Sequence, residues 1–317
     1  MSKGVEHNHR MTDLYKAAGL SKQALFKYRN RITHLKNVSS DVVAICHGYR
    51  KHHKRMGSRK MYHKAQGEVD IGRDKFEQIA HRNGFKLRRK RSAIKTTIAS
   101  RDRYYDNLMD GKTLTGINQA WQSDIFYLQV ESKNYYGFTI IDVYSRKLLA
   151  LHLVKGMSAD YLIQAMKKAI RNRENMKMTN CIFHSDRGSQ YISEIQQNML
   201  SEWGFIPSMG KRAQQNAFAE RVQGTLKYEY FFETDLKEKN LPYQVKKIMA
   251  LYNNERPHSK LQMMTPQEFE LNLDQMLTNE LPEMQVYQWV EPILTFGELF
   301  NKKKKEPKKK KNNINNN

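Results

Sequence analysis

Three carboxylates stand at the ends of patterned stretches that lie far apart in the chain. Asp124 sits in Trp121-Gln122-Ser123-Asp124-Ile125-Phe126-Tyr127-Leu128, near the start of an apolar run. Asp186 ends the short apolar run Cys181-Ile182-Phe183-His184-Ser185, with Arg187-Gly188 opening a turn. Glu220 lies in a polar-started helical segment that carries Lys227 seven residues on. No cysteine or histidine cluster accompanies them, so the set points to a hard cation with oxygen ligands, Mg²⁺ or Mn²⁺. Any one of these acids alone would read as a solvated loop residue or a helix cap. The chemistry requires that they meet.

The elements that must bring them together are legible from residue 121 onward. Runs 125–130, 136–143 and 147–154 are rich in β-formers and separated by turn residues, which predicts three consecutive antiparallel strands. Ser158 is placed to cap a helix over 161–173. A strand over 181–185, a helix over 193–203, a short strand over 205–209, a long helix over 214–231 and a further helix over 242–253 follow. The order βββαβαβα predicts an α/β fold, a ribonuclease-H-like mixed sheet with helices on its faces. In that arrangement the strands bearing Asp124 and Asp186 are neighbours, and the long helix projects Glu220 toward both. Two metal ions about 3.5–4 Å apart, bridged by such acids, stabilise the attacking and leaving oxygens of an in-line phosphoryl displacement.

Charge locates the partner. The 317 residues carry a formal net charge of +23. Residues 1–100 hold 24 Lys/Arg against 7 Asp/Glu, and 302–311 add eight lysines against Glu306. The stretch between them is close to neutral. A polyanion gripped by the N-terminal region is the expectation, with nucleic acid ahead of a membrane surface, because no apolar helical face accompanies the basic runs. Residues 11–31 read as helix, tight turn at Gly19, and a second helix capped by Ser21, the layout of a helix-turn-helix. Lys22, Gln23, Lys27 and Arg29 are its groove-facing candidates. A second small all-α module is expected over about 41–85, with helices introduced at Asp41, Gly57-Ser58-Arg59 and Ile71-Gly72-Arg73. Residues 86–118, with Arg88, Arg89, Lys90 and Arg91, read as a basic linker that tracks phosphates. The division is thus 1–85 helical DNA-binding region, 86–118 linker, 119–275 catalytic core, 276–301 C-terminal extension and 302–317 a disordered Lys/Asn tail. Two distant cysteines, no leader-like start and no apolar run near membrane-spanning length predict a cytoplasmic protein, held at the nucleoid through DNA, with no membrane partner.

The stretches SDIFYL, YGFTIIDVYSRKLLA, HSDRGSQY, NAFAERVQGTLKYEY and YNNERPHSKLQMMTPQEF occur in that order. Together with GSRKMYH, IGRDKF and NLMDGK, they resemble the catalytic subunit of bacterial insertion-sequence transposases of the insertion-sequence-three family. That family belongs to the Asp-Asp-Glu transposase and retroviral integrase superfamily. The resemblance implies metal-dependent DNA strand cleavage and strand transfer, with two Mg²⁺ or Mn²⁺ ions held by Asp124, Asp186 and Glu220. Lys227 corresponds to the family's basic residue two helical turns after the glutamate, on the same face. It further implies double-stranded DNA partners (terminal inverted repeats of the element and target DNA), a homo-oligomer on DNA, and an upstream-frame protein of the same element as a further partner. A departure lies between Asp186 and Glu220, where 33 residues make a gap shorter than is usual in the family. The loop Gly210-Lys211-Arg212-Ala213-Gln214-Gln215 carries the shortening, Gln215 stands where relatives place an aspartate, and Lys211 and Arg212 are expected to approach DNA. The alternative to an active enzyme is a catalytically decayed DNA-binding regulator on the same fold.

Nearby residues have plainer readings. His184 and Ser185 are expected to hold the turn at Asp186 by hydrogen bonds, and Asn216 to begin a helix. His258 is expected in a turn before the last helix, and Trp121 and Trp203 in the core. Asp142 ranks below Glu220 as a third acid because it lacks the helix and Lys227 context. Cys46 with His47, His52 and His53 offers one thiolate, which excludes a two-His two-Cys zinc site.

Overall fold

The structure, a computed structural model, describes residues 11–87, 104–211, 213–276 and 280–286. Helix α1 (Met11–Ala17) turns through Gly19 (φ +63°) into α2 (Lys22–His52), whose start is capped by Ser21 Oγ accepting from Ala24 N at 3.0 Å. The cap and the turn are where the residues put them. The division after them is not: α2 runs unbroken through 31–41, so the expected helix-turn-helix and second module share one 31-residue helix. No glycine or proline interrupts residues 30–45, and Val38, Val42 and Cys46 repeat at helical spacing, which outweighs the cap-type residues Ser39, Ser40 and Asp41. That stripe packs on α3 (Ser58–Lys64) and α4 (Arg73–Arg82) around Met61, Phe76 and Ala80. Cys46 is buried there, its thiol pushed up to about 11 by burial.

Strand β1 (Thr113–Leu114) precedes the main sheet of β2 (Ala120–Val130), β3 (Lys133–Asp142) and β4 (Leu148–Val154), then α5 (Ala159–Arg171), β5 (Ile182–Ser185), α6 (Glu194–Trp203) and β6 (Ile206–Met209). Sheet order is β4-β3-β2-β5-β6; the first three strands are antiparallel, and β5 and β6 run parallel to β2. This is the ribonuclease-H-like mixed sheet. Trp121, Phe138, Ile140 and Phe183 pack under α5 and α6 on one face. Phe126, Leu128, Ile141 and Leu151 meet α7 (Ala217–Thr225) and α8 (Leu241–Ala250) on the other. Phe126 faces Gly137 across β2–β3, and a Cβ at 137 would lie 2.3 Å from the ring, so only glycine admits it.

The long helix expected over 214–231 is composite. A 3₁₀ turn (Ala213–Asn216) leads into α7, a π turn (Leu226–Tyr230) follows, and a second 3₁₀ turn (Phe231–Glu233) ends it. Helix α9 (Pro266–Leu273) opens with the Thr265/Glu268 capping box. Residues 104–118 do not behave as linker: Tyr104 and Tyr105 pack on the core, Met109 and Leu114 are buried, and β1 pairs with β7 (Met284–Gln285). The body built on the main sheet therefore begins by residue 104 and takes in residues 284–286 of the expected extension. The basic run Arg88–Arg91 and the lysine tail lie outside the described residues. No described helix is long and apolar enough to cross a membrane.

Candidate active site

Strand pairing alone brings two acids together. Ala120, Trp121 and Gln122 pair in parallel with Ile182, Phe183 and His184, so Asp124, inside β2, stands at the register of Asp186, just past the end of β5. Tyr191, fully buried in the 3₁₀ turn after Asp186, joins the two elements through a 3.0 Å bond between its hydroxyl and Ser123 Oγ. Asp186 Oδ1 accepts from Gly188 N at 3.1 Å, and a Cβ at Gly188 would crowd that oxygen at 3.2 Å.

The third acid arrives by a set of buried polar bonds. Asn216 Nδ2 donates to Ser123 O at 3.0 Å, and Ala219 N donates to Gln122 Oε1 at 3.2 Å, which ties the first turn of α7 to the strand of Asp124. His184, on the strand of Asp186, contacts Gln215 O through Nε2 at 3.1 Å and Ser208 Oγ through Nδ1 at 2.9 Å. A carbonyl only accepts, so Nε2 carries the proton and Nδ1 accepts from the serine. Burial pushes this imidazole down to about 4, against the opposing pull of the Gln215 carbonyl, so it stays neutral at pH 7. Glu220 is exposed in the first turn of α7, held between both acid-bearing strands by these bonds.

The acids sense one another. Burial, then the charge of Asp186, then that of Glu220, push the Asp124 carboxyl up to about 8, although Ile125 N donates to it at 2.8 Å and Lys227 draws it down. Burial raises Asp186 while its bond from Gly188 lowers it. Burial and then Asp186 raise Glu220. Lys227 falls in the π turn with its Nζ 5.3 Å from the centre of the Phe126 ring; burial lowers it and Asp124 raises it. Among the described residues no group of three or more His, Cys, Asp or Glu side chains is gathered closely enough to hold a metal ion as it stands. The chemistry of Asp124, Asp186 and Glu220 is nonetheless that of an all-oxygen donor set for a hard divalent cation, with Lys227 offsetting part of the repulsion at Asp124.

Other expected residues separate cleanly. Asp142 is fully buried and accepts from Asn118 N at 2.7 Å, Tyr144 N at 2.9 Å, Ser145 N at 3.1 Å and Arg173 Nη2 at 3.2 Å. Arg173 also binds Glu270 at 2.7 and 2.8 Å, so Asp142 belongs to a structural ion-pair network. His258 sits in the turn before α9 with Arg256 Nη1 3.3 Å from its Nε2. Trp121 is buried; Trp203 is only partly so and lies under Lys177 Nζ at 4.9 Å. Lys22, Gln23, Lys27 and Arg29 are exposed on the first half of α2, and Lys211 is exposed beside the site with its N–H bound to Gln215 Oε1 at 2.6 Å. Gln215 thus closes the shortened loop. Arg88, Arg89, Lys90, Arg91 and Arg212 lie outside the described residues. Gln122 and Tyr191 were missed as positioning residues. The signal for Gln122 is a polar side chain among strand residues that are otherwise buried. A concavity of about 520 Å³ between β4, α5 and α8 is lined by none of the acids.

Comparison with known proteins gives consistent relationships. Two profiles of the family described as Integrase core domain match residues 115–215 and 204–266. The candidate transposase of insertion sequence element IS986/IS6110 from Mycobacterium tuberculosis is 28% identical over 181 residues, 55% of this chain and 65% of that protein. The chain therefore spans a little under two-thirds of the length of that relative. The transposase for insertion sequence element IS904 from Lactococcus lactis is 30% identical over 160 residues, 49% of this chain and 62% of the other. Among solved structures, the HTLV-2 integrase catalytic core domain in complex with magnesium is 18% identical, with a TM-score of 0.38, covering 48% of this chain and 95% of that one.

Proposed function

We infer, from a chain whose residues 115–266 form an integrase core domain related to those of insertion-sequence transposases, that this protein is a transposase. It binds the ends of its element, cleaves a DNA strand and joins the resulting 3′ hydroxyl to a second phosphodiester. The observation that carries the reading is the β2–β5 register that sets Asp124 beside Asp186, with the first turn of α7 bonded to both strands and the charge of Asp186 raising both Asp124 and Glu220.

Asp124, Asp186 and Glu220 are the residues that would hold Mg²⁺ or Mn²⁺, two ions in the full site. Bound there, the cations supply charge neutralisation at the attacking and leaving oxygens. The chain supplies the rest. Asn216, Gln122 and His184 fix the first turn of α7 on the sheet, so Glu220 keeps its place relative to both strands. Lys227, laid on Phe126 near Asp124, offers a positive charge to a DNA phosphate at the same face. Neutral His184 provides no proton at pH 7 and acts by position. The exposed basic half of α2 and Lys211 add contacts to the DNA backbone, with Arg88–Arg91 and Arg212 expected to extend them. Assembly as an oligomer on paired ends, an upstream-frame partner and a cytoplasmic, nucleoid-bound location complete the reading.

The test uses purified full-length chain, Mg²⁺ and duplexes bearing the element's ends. Wild type should cleave and join. Asp124→Asn, Asp186→Asn and Glu220→Gln should bind the same DNA and do neither. Joining at wild-type rate by any of the three defeats the triad. DNA binding by wild type with no cleavage under any divalent cation would instead assign the protein as a regulator on this fold.

A further inference from the structure

Arg187 directly follows Asp186, yet its guanidinium turns away from the acid. The Asp186 carboxyl is raised by burial and eased only by the Gly188 N–H. The guanidinium instead lies on the ring of Tyr104, with Cζ 4.1 Å from the ring centre. Its Nε is buried and finds no hydrogen-bond partner among the described residues, and neither does the buried hydroxyl of Tyr104. Among the other half-buried or buried arginines, Arg146 lies on the Phe218 ring at 4.0 Å and reaches Met284 Sδ at 3.1 Å, and three more find oxygen. Arg50 donates to the carbonyls of Met56, Lys54 and Phe85, Arg173 to Glu270 and Asp142, and Arg256 to both oxygens of Glu229 at 2.7 Å. Arg187 makes no such bond.

The N–H groups of a guanidinium only donate and its charge is always present, so the half-buried Arg187 takes a ligand that accepts and is anionic. A phosphodiester meets both demands. Stacking on an aromatic ring holds the guanidinium plane without satisfying its N–H groups, which leaves the fork free for a bidentate anion. Tyr104 opens the segment that binds the sheet through Leu108 N to Ser208 Oγ at 2.8 Å and Met209 N to Asp106 O at 3.2 Å. That segment continues the basic stretch that begins at Lys86. The ring is therefore fixed on the core beside the turn of Asp186.

We propose that Arg187, laid on Tyr104 beside Asp186, is a phosphate clamp that holds the DNA backbone next to the acid site. Arg187 is a positioning residue in this scheme, and the proposal rests on the transposase reading. Its occupant is one backbone phosphate, with no reading of base sequence. The bland alternative is a stack that only glues residues 104–108 to the core.

The experiment measures binding of the full chain to a random-sequence duplex across a salt series with EDTA present, so that strand cleavage plays no part. Arg187→Ala should bind roughly tenfold more weakly, the scale of one charge-assisted contact. Its plot of log affinity against log salt should be shallower by about 0.9, one phosphate fewer. Arg187→Lys keeps the charge and should keep the wild-type slope while losing part of the affinity. Tyr104→Phe keeps the ring under the guanidinium and loses only a buried hydroxyl, so it should keep both affinity and slope. A wild-type slope in Arg187→Ala overturns the clamp, and a lowered melting temperature in that case assigns the stack to stability alone. If inorganic phosphate raises the melting temperature of wild type but not of Arg187→Ala, while their DNA slopes agree, the site takes free phosphate and the DNA assignment falls. Wild type that binds no DNA at all sinks the transposase reading and this inference together; wild type that binds with an unaltered Arg187→Ala slope sinks only the inference.

Discussion

A carboxyl held near pH 8 among other acids leaves a mark on stability. In the metal-free protein the folded state keeps a proton on Asp124 up to about pH 8, whereas an unfolded aspartate releases it near 3.9. Between those values the folded state binds more protons, so this residue makes stability fall as pH rises from about 4 to 8. Asp124→Asn removes the effect. The variant's metal-free melting temperature should exceed that of wild type at pH 8 and approach it at pH 4, as read by circular dichroism. Added Mg²⁺ should raise the wild-type value and leave the variant's nearly unmoved. Equal pH profiles for the two would contradict the shared field. Gly137 acts at the same scale. An alanine Cβ there would collide with the Phe126 ring on which Lys227 rests. Gly137→Ala should cost about 1–3 kcal/mol by overpacking, measurable by urea denaturation.

Among the elements, the helical run 213–233 does the most. Its first turn is bound to both acid-bearing strands, its π turn carries Lys227, and its end receives the N-terminal helices. A π turn inside a helix is uncommon and frequents functional sites. Past it, His53 meets the Tyr230 hydroxyl at 3.1 Å and Glu255 at 3.1 Å, Lys64 Nζ donates to Glu255 O at 3.1 Å, and Lys54 Nζ reaches Glu233 O. Lys60 lies in this junction, pushed down to about 7 by burial first and then by Arg256, with Glu229 opposing. An unfolded lysine holds its proton to about 10.4, so the unfolded state binds more protons between about 7 and 10. The stability contributed here therefore rises with pH over that window. Subtracting the denaturation midpoints of Lys60→Met from those of wild type isolates the effect. The difference, wild type minus variant, should rise as pH climbs from 7 to 9.5, and a flat difference would place Lys60 outside the junction.

On the scale of the whole molecule, charge is divided from chemistry. The acids sit in the near-neutral body, while the excess of cations lies before residue 101 and after residue 301. Contacts made by such flanking cations depend on salt and not on base sequence. Deleting residues 302–317 should therefore weaken DNA binding and flatten its salt dependence without abolishing strand joining. A filter-binding salt series together with a joining assay checks this; loss of joining at saturating DNA would give the tail a role in the fold or the chemistry. The ribbon of β1 and β7 closes the body by pairing residues 113–114 with 284–285.

Period-two patterning, caps and turn residues are local properties, and they carried the order of strands and helices, the start of α2 at Ser21 and the pairing that makes Asp124 and Asp186 neighbours. The elements that carry Asp124, Asp186 and Glu220 were legible for the same reason, since each acid lies in or just after a patterned run. Other features depend on contacts between residues far apart in sequence. The unbroken course of α2, the π turn under Lys227, the pairing of β1 with β7 and the burial of Asp142 against Arg173 and Glu270 are of that kind. So are the roles of Gln122, Tyr191 and Arg187. A polar side chain in a sequence shows what it can bond, but packing decides which partner reaches it, and for Arg187 packing supplied a ring and left the acceptor to the ligand.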